Sequence, residues 1–220
     1  EGTIDKYMGD CIMAFWNAPL DVEMQQKKAV DSALAMLAHL QELNDGLAKE
    51  GLLPINIGIG LNTGSVVVGN MGSDQRFDYS CLGDAVNLAS RLEGQSKPYG
   101  VKIVVGEATH VGLPEGYVSV ELDLIAVKGK KDGVRIYTVL GTEGFDKPTS
   151  LATCHMQHRK FLSAYRDQRW DVATIIAGSL RTAWHGQMKD YYEMMIQRCH
   201  ELKQDPPGKD WDHVYRATSK

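Results

Sequence analysis

Apolar residues at Val30, Ala33, Leu37, Leu40, Leu43 and Leu47 recur every three or four positions with polar residues between them. That is the spacing of a helix with one buried face, and Gly51 marks its end. Ahead of it, Ile4, Tyr7 and the apolar run 11–16 flank Gly9-Asp10, a dipeptide that favours tight turns, so 3–16 reads as a hairpin. After it, Pro54 opens a strict alternation with Ile55, Ile57, Ile59 and Leu61 on one side. Asn62-Thr63-Gly64 then turns the chain into Ser65-Val66-Val67-Val68, which predicts a second hairpin with one buried face. Segments 77–82, 101–105, 118–127 and 134–140 read as strands, and 84–95 as a helix with Val86, Ala89, Ser90 and Leu92 on or near its inner face. Strands and one helix joined by hairpins rather than long parallel crossovers predict an α+β fold. Past 141–150, which is rich in Gly, Thr, Pro and Ser, everything reads as helical: Phe161, Leu162 and Tyr165, then Trp170 to Leu180, then Tyr191 to Leu202. A boundary is expected between 147 and 148, with an extended ending at 211–215 whose aromatics dock on the helices.

Composition narrows the function. The 220 residues are 43% hydrophobic and 24% charged, with 24 Lys+Arg against 28 Asp+Glu, the profile of a water-soluble globular chain with a proper core. A mild acidic excess and a single basic cluster, Lys128-Gly129-Lys130-Lys131, disfavour nucleic acid or an anionic membrane and favour a small-molecule partner. No apolar run reaches the roughly 20 residues of a membrane span. Cys11, Cys81, Cys154 and Cys199 are far apart and form no Cys-x-x-Cys pair, which suits a reducing, cytoplasmic setting.

Several residues could carry chemistry. Asp10 at a hairpin tip is free to reach a hard cation such as Mg²⁺, or is an ordinary turn residue. Asn87 and Arg91 are four apart, so on a helix they present an amide and a planar guanidinium to one ligand, a pair suited to a sugar and a phosphate; the plain alternative is a solvated helix face. Ser80 is a hydrogen-bonding side chain or simply a strand residue. Gly58-Ile59-Gly60 and Gly64 have the wrong spacing for a dinucleotide fingerprint, and Cys154, His155, His158, Cys199 and His200 match no structural zinc pattern.

Four pieces, in order, carry a resemblance: Gly2-x3-Lys6-x2-Gly9-Asp10-x3-Ala14-Phe15; Ile57-Gly58-Ile59-Gly60-x2-Thr63-Gly64-x4-Gly69-x2-Gly72; Gly83-Asp84-x-Val86-Asn87-x-Ala89-Ser90-Arg91-Leu92; and Val127-Lys128-Gly129-Lys130. Together they resemble the class III nucleotide cyclase catalytic domain, of the bacterial adenylate cyclase type. The resemblance implies a ferredoxin-like (βαββαβ-type) antiparallel sheet with helices on one face over 1–147, and a helical C-terminal extension over 148–220. It further implies a head-to-tail homodimer with composite sites that turn ATP into cyclic AMP and pyrophosphate with two divalent ions, Mg²⁺ or Mn²⁺.

By the same resemblance Asp10 is one of two metal-binding aspartates, Asn87 orients the ribose, and Arg91 stabilises the α-phosphate as the 3′-oxygen attacks. Lys128 and Lys130 contact the triphosphate, and Lys28 stands where the family often carries a phosphate-directed Arg. Base choice falls to Lys6 and to the residue three before Gly83, which is Ser80; a slip of one residue would substitute Cys81. Lys with a hydroxyl resembles adenylyl cyclases, whereas guanylyl cyclases are alike in carrying Glu and Cys. The other metal aspartate, with a first strand and helix, is expected upstream of Glu1, so the piece alone is expected to be inactive or weak. The helical tail resembles C-terminal extensions of bacterial cyclases with a membrane-anchored sensor upstream, and a cap on the domain is favoured over a tetratricopeptide-like surface. The competing functions are a non-catalytic nucleotide-binding or dimerising regulatory module, and a guanylate cyclase.

Overall fold

The structure is a computed structural model and describes residues 1–73, 75–126, 133–142 and 144–216. In chain order the elements are β1 (Thr3–Met8), β2 (Cys11–Phe15), α1 (Gln25–Lys49), β3 (Ile59–Leu61), β4 (Val67–Ser73), β5 (Arg76–Leu82), α2 (Asp84–Glu93), β6 (Ile103–Gly106), α3 (Glu107–Val111), β7 (Val118–Ile125), β8 (Val134–Gly141), α4 (Pro148–Arg166), α5 (Trp170–Leu180) and α6 (Lys189–Gln204). None of these helices is long and apolar enough to cross a membrane.

The first hairpin forms as its pattern predicts. Gly9 takes the turn at φ +64°, a conformation that costs glycine nothing, and β1 pairs antiparallel with β2. One irregularity interrupts it: Ile4 faces Ala14 and Lys6 faces Met13, so Asp5 is an extra, bulged residue. The long helix α1 ends as expected at Gly51, which sits at φ +73°. There Gly51 N donates to Ala48 O and Leu52 N to Leu47 O, the pairing of a Schellman cap.

The second hairpin does not form. Instead β3 pairs in parallel with β6, and of the expected second strand only Val67 and Val68 are extended, in a separate antiparallel pair, β4 with β5. Glycine explains the difference. A Cβ at Gly60 would lie 2.2 Å from Glu93 N and 2.3 Å from Ala89 O, and one at Gly58 would lie 2.0 Å from Ser96 Oγ. These glycines let α2 and the loop after it press directly onto the backbone around β3, and Asn62 Nδ2 donates to Ala85 O rather than closing a turn. The path from β3 to β6 is thus a crossover carrying α2, not a hairpin.

The main sheet has the order β3-β6-β8-β7, with β6 and β7 antiparallel to β8. Its central strands are apolar on both sides: all four residues of β6 are buried, as is Ile136 through Leu140 of β8. Helices therefore cover both faces, correcting the expectation of helices on one face. On one side Ile59, Ile103, Val105, Tyr137 and Val139 meet Val30 and Ala33 of α1. On the other, Val104, Val120, Leu122, Ile136 and Leu140 share one cluster with Leu88 and Leu92 of α2 and with Phe161, Tyr165, Tyr191 and Met195 of the C-terminal helices.

The C-terminal helices are stitched to β7 by polar contacts as well. His158, 2% exposed, donates from Nε2 to Glu121 O at 2.6 Å and accepts at Nδ1 from the Tyr192 hydroxyl, which itself accepts from Trp184 Nε1. Tyr191 donates its hydroxyl proton to Leu122 O at 2.8 Å. Asp123, 1% exposed, accepts from Tyr99 at 2.6 Å and pairs with Arg198, which lies under the Tyr215 ring at 3.4 Å. The expected docking of the ending is also present: Trp211 packs edge-on against Tyr165, and Tyr215 bridges in parallel to Ile125.

Two outcomes are expected. Arg198→Ala would strand the buried Asp123 carboxylate and lower the unfolding free energy by about 3–5 kcal/mol in urea titrations. The second concerns pH. Burial holds the His158 imidazole down to about 4 against its ordinary 6.5, so the unfolded chain takes up a proton that the folded chain refuses. Stability is therefore full above about pH 6.5 and falls as pH drops toward 4, by up to about 3 kcal/mol. His155, also held low by burial, adds with the same sign. His158→Gln should flatten most of that slope in urea midpoints measured across this range.

Candidate functional site

The hairpin tip holds Asp10 in the solvent, and no hydrogen bond or ion pair engages it among the described residues. Four residues back, the bulge in β1 brings two neighbours of opposite charge together: Lys6 Nζ lies 3.2 Å from Asp5 Oδ1 and 4.0 Å from Asp78 Oδ2. Lys6 keeps 36% of its side chain exposed, whereas the Asp5 side chain is wholly buried. Asp5 Oδ1 makes no hydrogen bond, its contact with Lys6 being at ion-pair distance only. Asp5 Oδ2 accepts the Ser80 hydroxyl at 2.6 Å. Lys6 on β1 and Ser80 on β5 are thereby joined through Asp5, 75 residues apart in sequence from Ser80.

Strand β5 runs straight into α2 through Gly83, which stands at φ +155° with Ser65 O and Val66 against its open side. Val86 N and Asn87 N both donate to Gly83 O in the first turn. Asn87 is exposed and Arg91 half-buried, one turn apart on α2, and no side-chain partner engages either among the described residues. Lys28, in the first turn of α1, is ion-paired with Glu1. Lys128 and Lys130 lie outside the described residues.

Of the residues singled out from sequence, the structure brings together Lys6 and Ser80. Asp10, Lys28, Asn87 and Arg91 make no described contact with that pair. A cleft of about 410 Å³ beside α2, lined by Asn62, Thr63, Asp84, Glu107 and Arg135 among others, contains none of the six. Among the described residues no three His, Cys, Asp or Glu side chains cluster as a metal cage. Asp10 alone fits one oxygen ligand of a hard cation, which is commonly held by one or two carboxylates with water and phosphate oxygens completing the shell.

Asp5 is the residue that sequence reasoning missed. An Asp at a strand position reads as solvent-facing, and a bulge leaves no mark in the hydrophobic pattern. Cys81, the neighbour that a register slip would select, is 4% exposed, and burial first, then the Asp5 charge, raises its thiol. It is the Ser80 hydroxyl, not this thiol, that meets Asp5.

The chain is 34% identical over 141 residues to adenylate cyclase 1 of Rhizobium meliloti, covering 64% of this chain and 21% of that protein. It is 38% identical over 145 residues to an adenylate cyclase of Anabaena cylindrica, covering 63% and 28%. It therefore spans about a quarter of the length of these relatives. Among solved structures, the adenylyl cyclase CyaB from P. aeruginosa superposes with a TM-score of 0.58 at 33% identity, over 65% of this chain and 74% of that one. The guanylyl cyclase Cya2 does so with a TM-score of 0.56 at 36% identity, over 65% and 72%. The adenylate and guanylate cyclase catalytic domain family matches residues 5–141, the stretch from the Asp5 bulge to the end of β8. This chain belongs to that family.

Proposed function

We propose that the chain is the catalytic module of an adenylate cyclase, acting on ATP in intracellular signal transduction. The observation that carries this reading is the joined pair of Lys6 and Ser80, a cation and a hydroxyl held side by side through Asp5. An ammonium can donate to a ring nitrogen of adenine, and a hydroxyl oxygen can accept from its exocyclic amine.

In this reading the ribose 3′-oxygen attacks the α-phosphorus, the bond to the bridging oxygen breaks, and pyrophosphate leaves. Catalysis of that kind is mostly positioning and charge stabilisation. Asn87 orients the ribose, and the Arg91 guanidinium meets the negative charge that accumulates on the α-phosphate. Lys128 and Lys130 hold the triphosphate; Lys28 could join them only by leaving Glu1. Asp10 would supply one carboxylate ligand to Mg²⁺ or Mn²⁺, and a two-ion site would need a second carboxylate. Bound cations would neutralise triphosphate charge as the leaving group departs.

The scatter of these residues supports composite sites shared by two copies of the chain. So does the apolar surface of the two hairpins, where Ile4, Tyr7, Ile12, Val67, Phe77 and Leu82 are all exposed. Residues 1–147 form the catalytic module in this proposal, on a ferredoxin-like plan, and 148–220 the helical extension that caps it.

Cyclic nucleotide production by the full-length protein with Mn²⁺, from ATP and separately from GTP, tests the reading. Cyclic AMP is expected, and Arg91→Ala should lower kcat by about 10²–10³-fold. Preferential cyclic GMP would make it a guanylate cyclase. No product from either would make it a regulatory module.

A further inference from the structure

The position of one buried carboxylate decides what the Ser80 hydroxyl can offer. In an unbroken strand Asp5 and Lys6 would point to opposite faces. The bulge adds a residue opposite the 13–14 step of β2 and turns both side chains toward β5, where Lys6 approaches Asp78 and Asp5 reaches Ser80. A hydroxyl has one proton and two lone pairs, while an ionised carboxylate only accepts. With its proton held by Asp5 Oδ2 at 2.6 Å, Ser80 is left as an acceptor. Lys6 beside it has only donors.

We infer that Asp5 is a specificity-determining positioning residue, which fixes Ser80 as acceptor next to Lys6 as donor. The pair then matches a purine edge with an amine beside a bare ring nitrogen, and mismatches one with a carbonyl beside a ring N–H. The inference rests on the adenine-reading role given to Lys6 and Ser80 above. Asp5 contacts no base itself; it acts through the direction of one hydroxyl, in a buried setting where hydrogen-bond polarity weighs more than in water.

Asp5→Asn reverses that direction. Lys6, a pure donor next to Oδ1, draws the amide oxygen and leaves the amide NH₂ against Ser80, whose proton is released to donate elsewhere. The measurement is kcat/KM of the full-length protein for ATP, GTP and purine riboside triphosphate, which keeps the ring-nitrogen acceptor and lacks the amine. In Asp5→Asn the ATP:GTP ratio should fall by about tenfold, and the advantage of ATP over the amine-less analogue should vanish. Asp5→Glu, which keeps an acceptor, should still prefer ATP. Each ratio comes from one preparation, so the folded fraction cancels. If Asp5→Asn does not fold, Asp5→Leu, which removes the buried charge and also frees the Ser80 proton, should show the same fall. Ser80→Ala separates the two ideas. ATP preference lost in Ser80→Ala but intact in Asp5→Asn overturns the role of Asp5 alone, while preference intact in both overturns the base-reading pair and Asp5 with it.

Discussion

A sheet whose central strands have no polar face cannot stand uncovered, and this constraint organises the molecule. β6 and β8 are buried on both sides, so α1 must cover one face while α2 and the C-terminal helices cover the other. Each cover is then committed to a place. α2 lies close enough to β3 that only glycine fits at position 60, and this contact fixes the helix that carries Asn87 and Arg91. The residues on α2 proposed for the site are placed by a backbone-to-backbone contact rather than by contacts of their own.

Apolar packing gives the C-terminal helices an affinity for the sheet but little choice of position along it. The polar groups supply that choice. Glu121 O, Leu122 O and the Asp123 carboxylate are met in turn by His158, Tyr191 and Arg198, three consecutive residues of β7 each with a different partner. Sliding the helices by one residue would break all three contacts at once and leave the Asp123 charge without its cation, and buried polar groups are costly to leave unpaired. The stitches thus act as a register for helix on strand.

Much of the fold was legible in the sequence where one period ran long enough to be unambiguous. The three-to-four spacing of 30–47 with Gly51, the Gly9-Asp10 hairpin, and the apolar runs of β7 and β8 all became the elements they suggested. The parallel pairing of β3 was hidden because three strand residues flanked by glycines look the same as the approach to a turn, and the reason for those glycines lies 30 residues away on α2. The proposed site rests on spacing and motifs together. Spacing offered Asn87 and Arg91 as a pair and the hairpin tip offered Asp10, while the motif order added Lys6 and its pairing with Ser80. Asp5 was invisible because its importance comes from a bulge and from burial, neither of which is written in residue type.

The last described residues have a consequence for how the sheet could grow. Tyr215 N donates to Leu124 O and Ala126 N donates to Tyr215 O, so the C-terminal end of the outer rim of β7 is occupied by Tyr215 of the same chain. Val214 sits so near Gly133 that a Cβ there would meet it at 2.6 Å, which seats the same segment against the residue before β8. A strand from another molecule could not pair there without displacing Tyr215. Growth of the sheet at this edge would therefore require release of the Tyr215 segment, and so would be coupled to the packing of Trp211 on Tyr165 and of Tyr215 on Arg198.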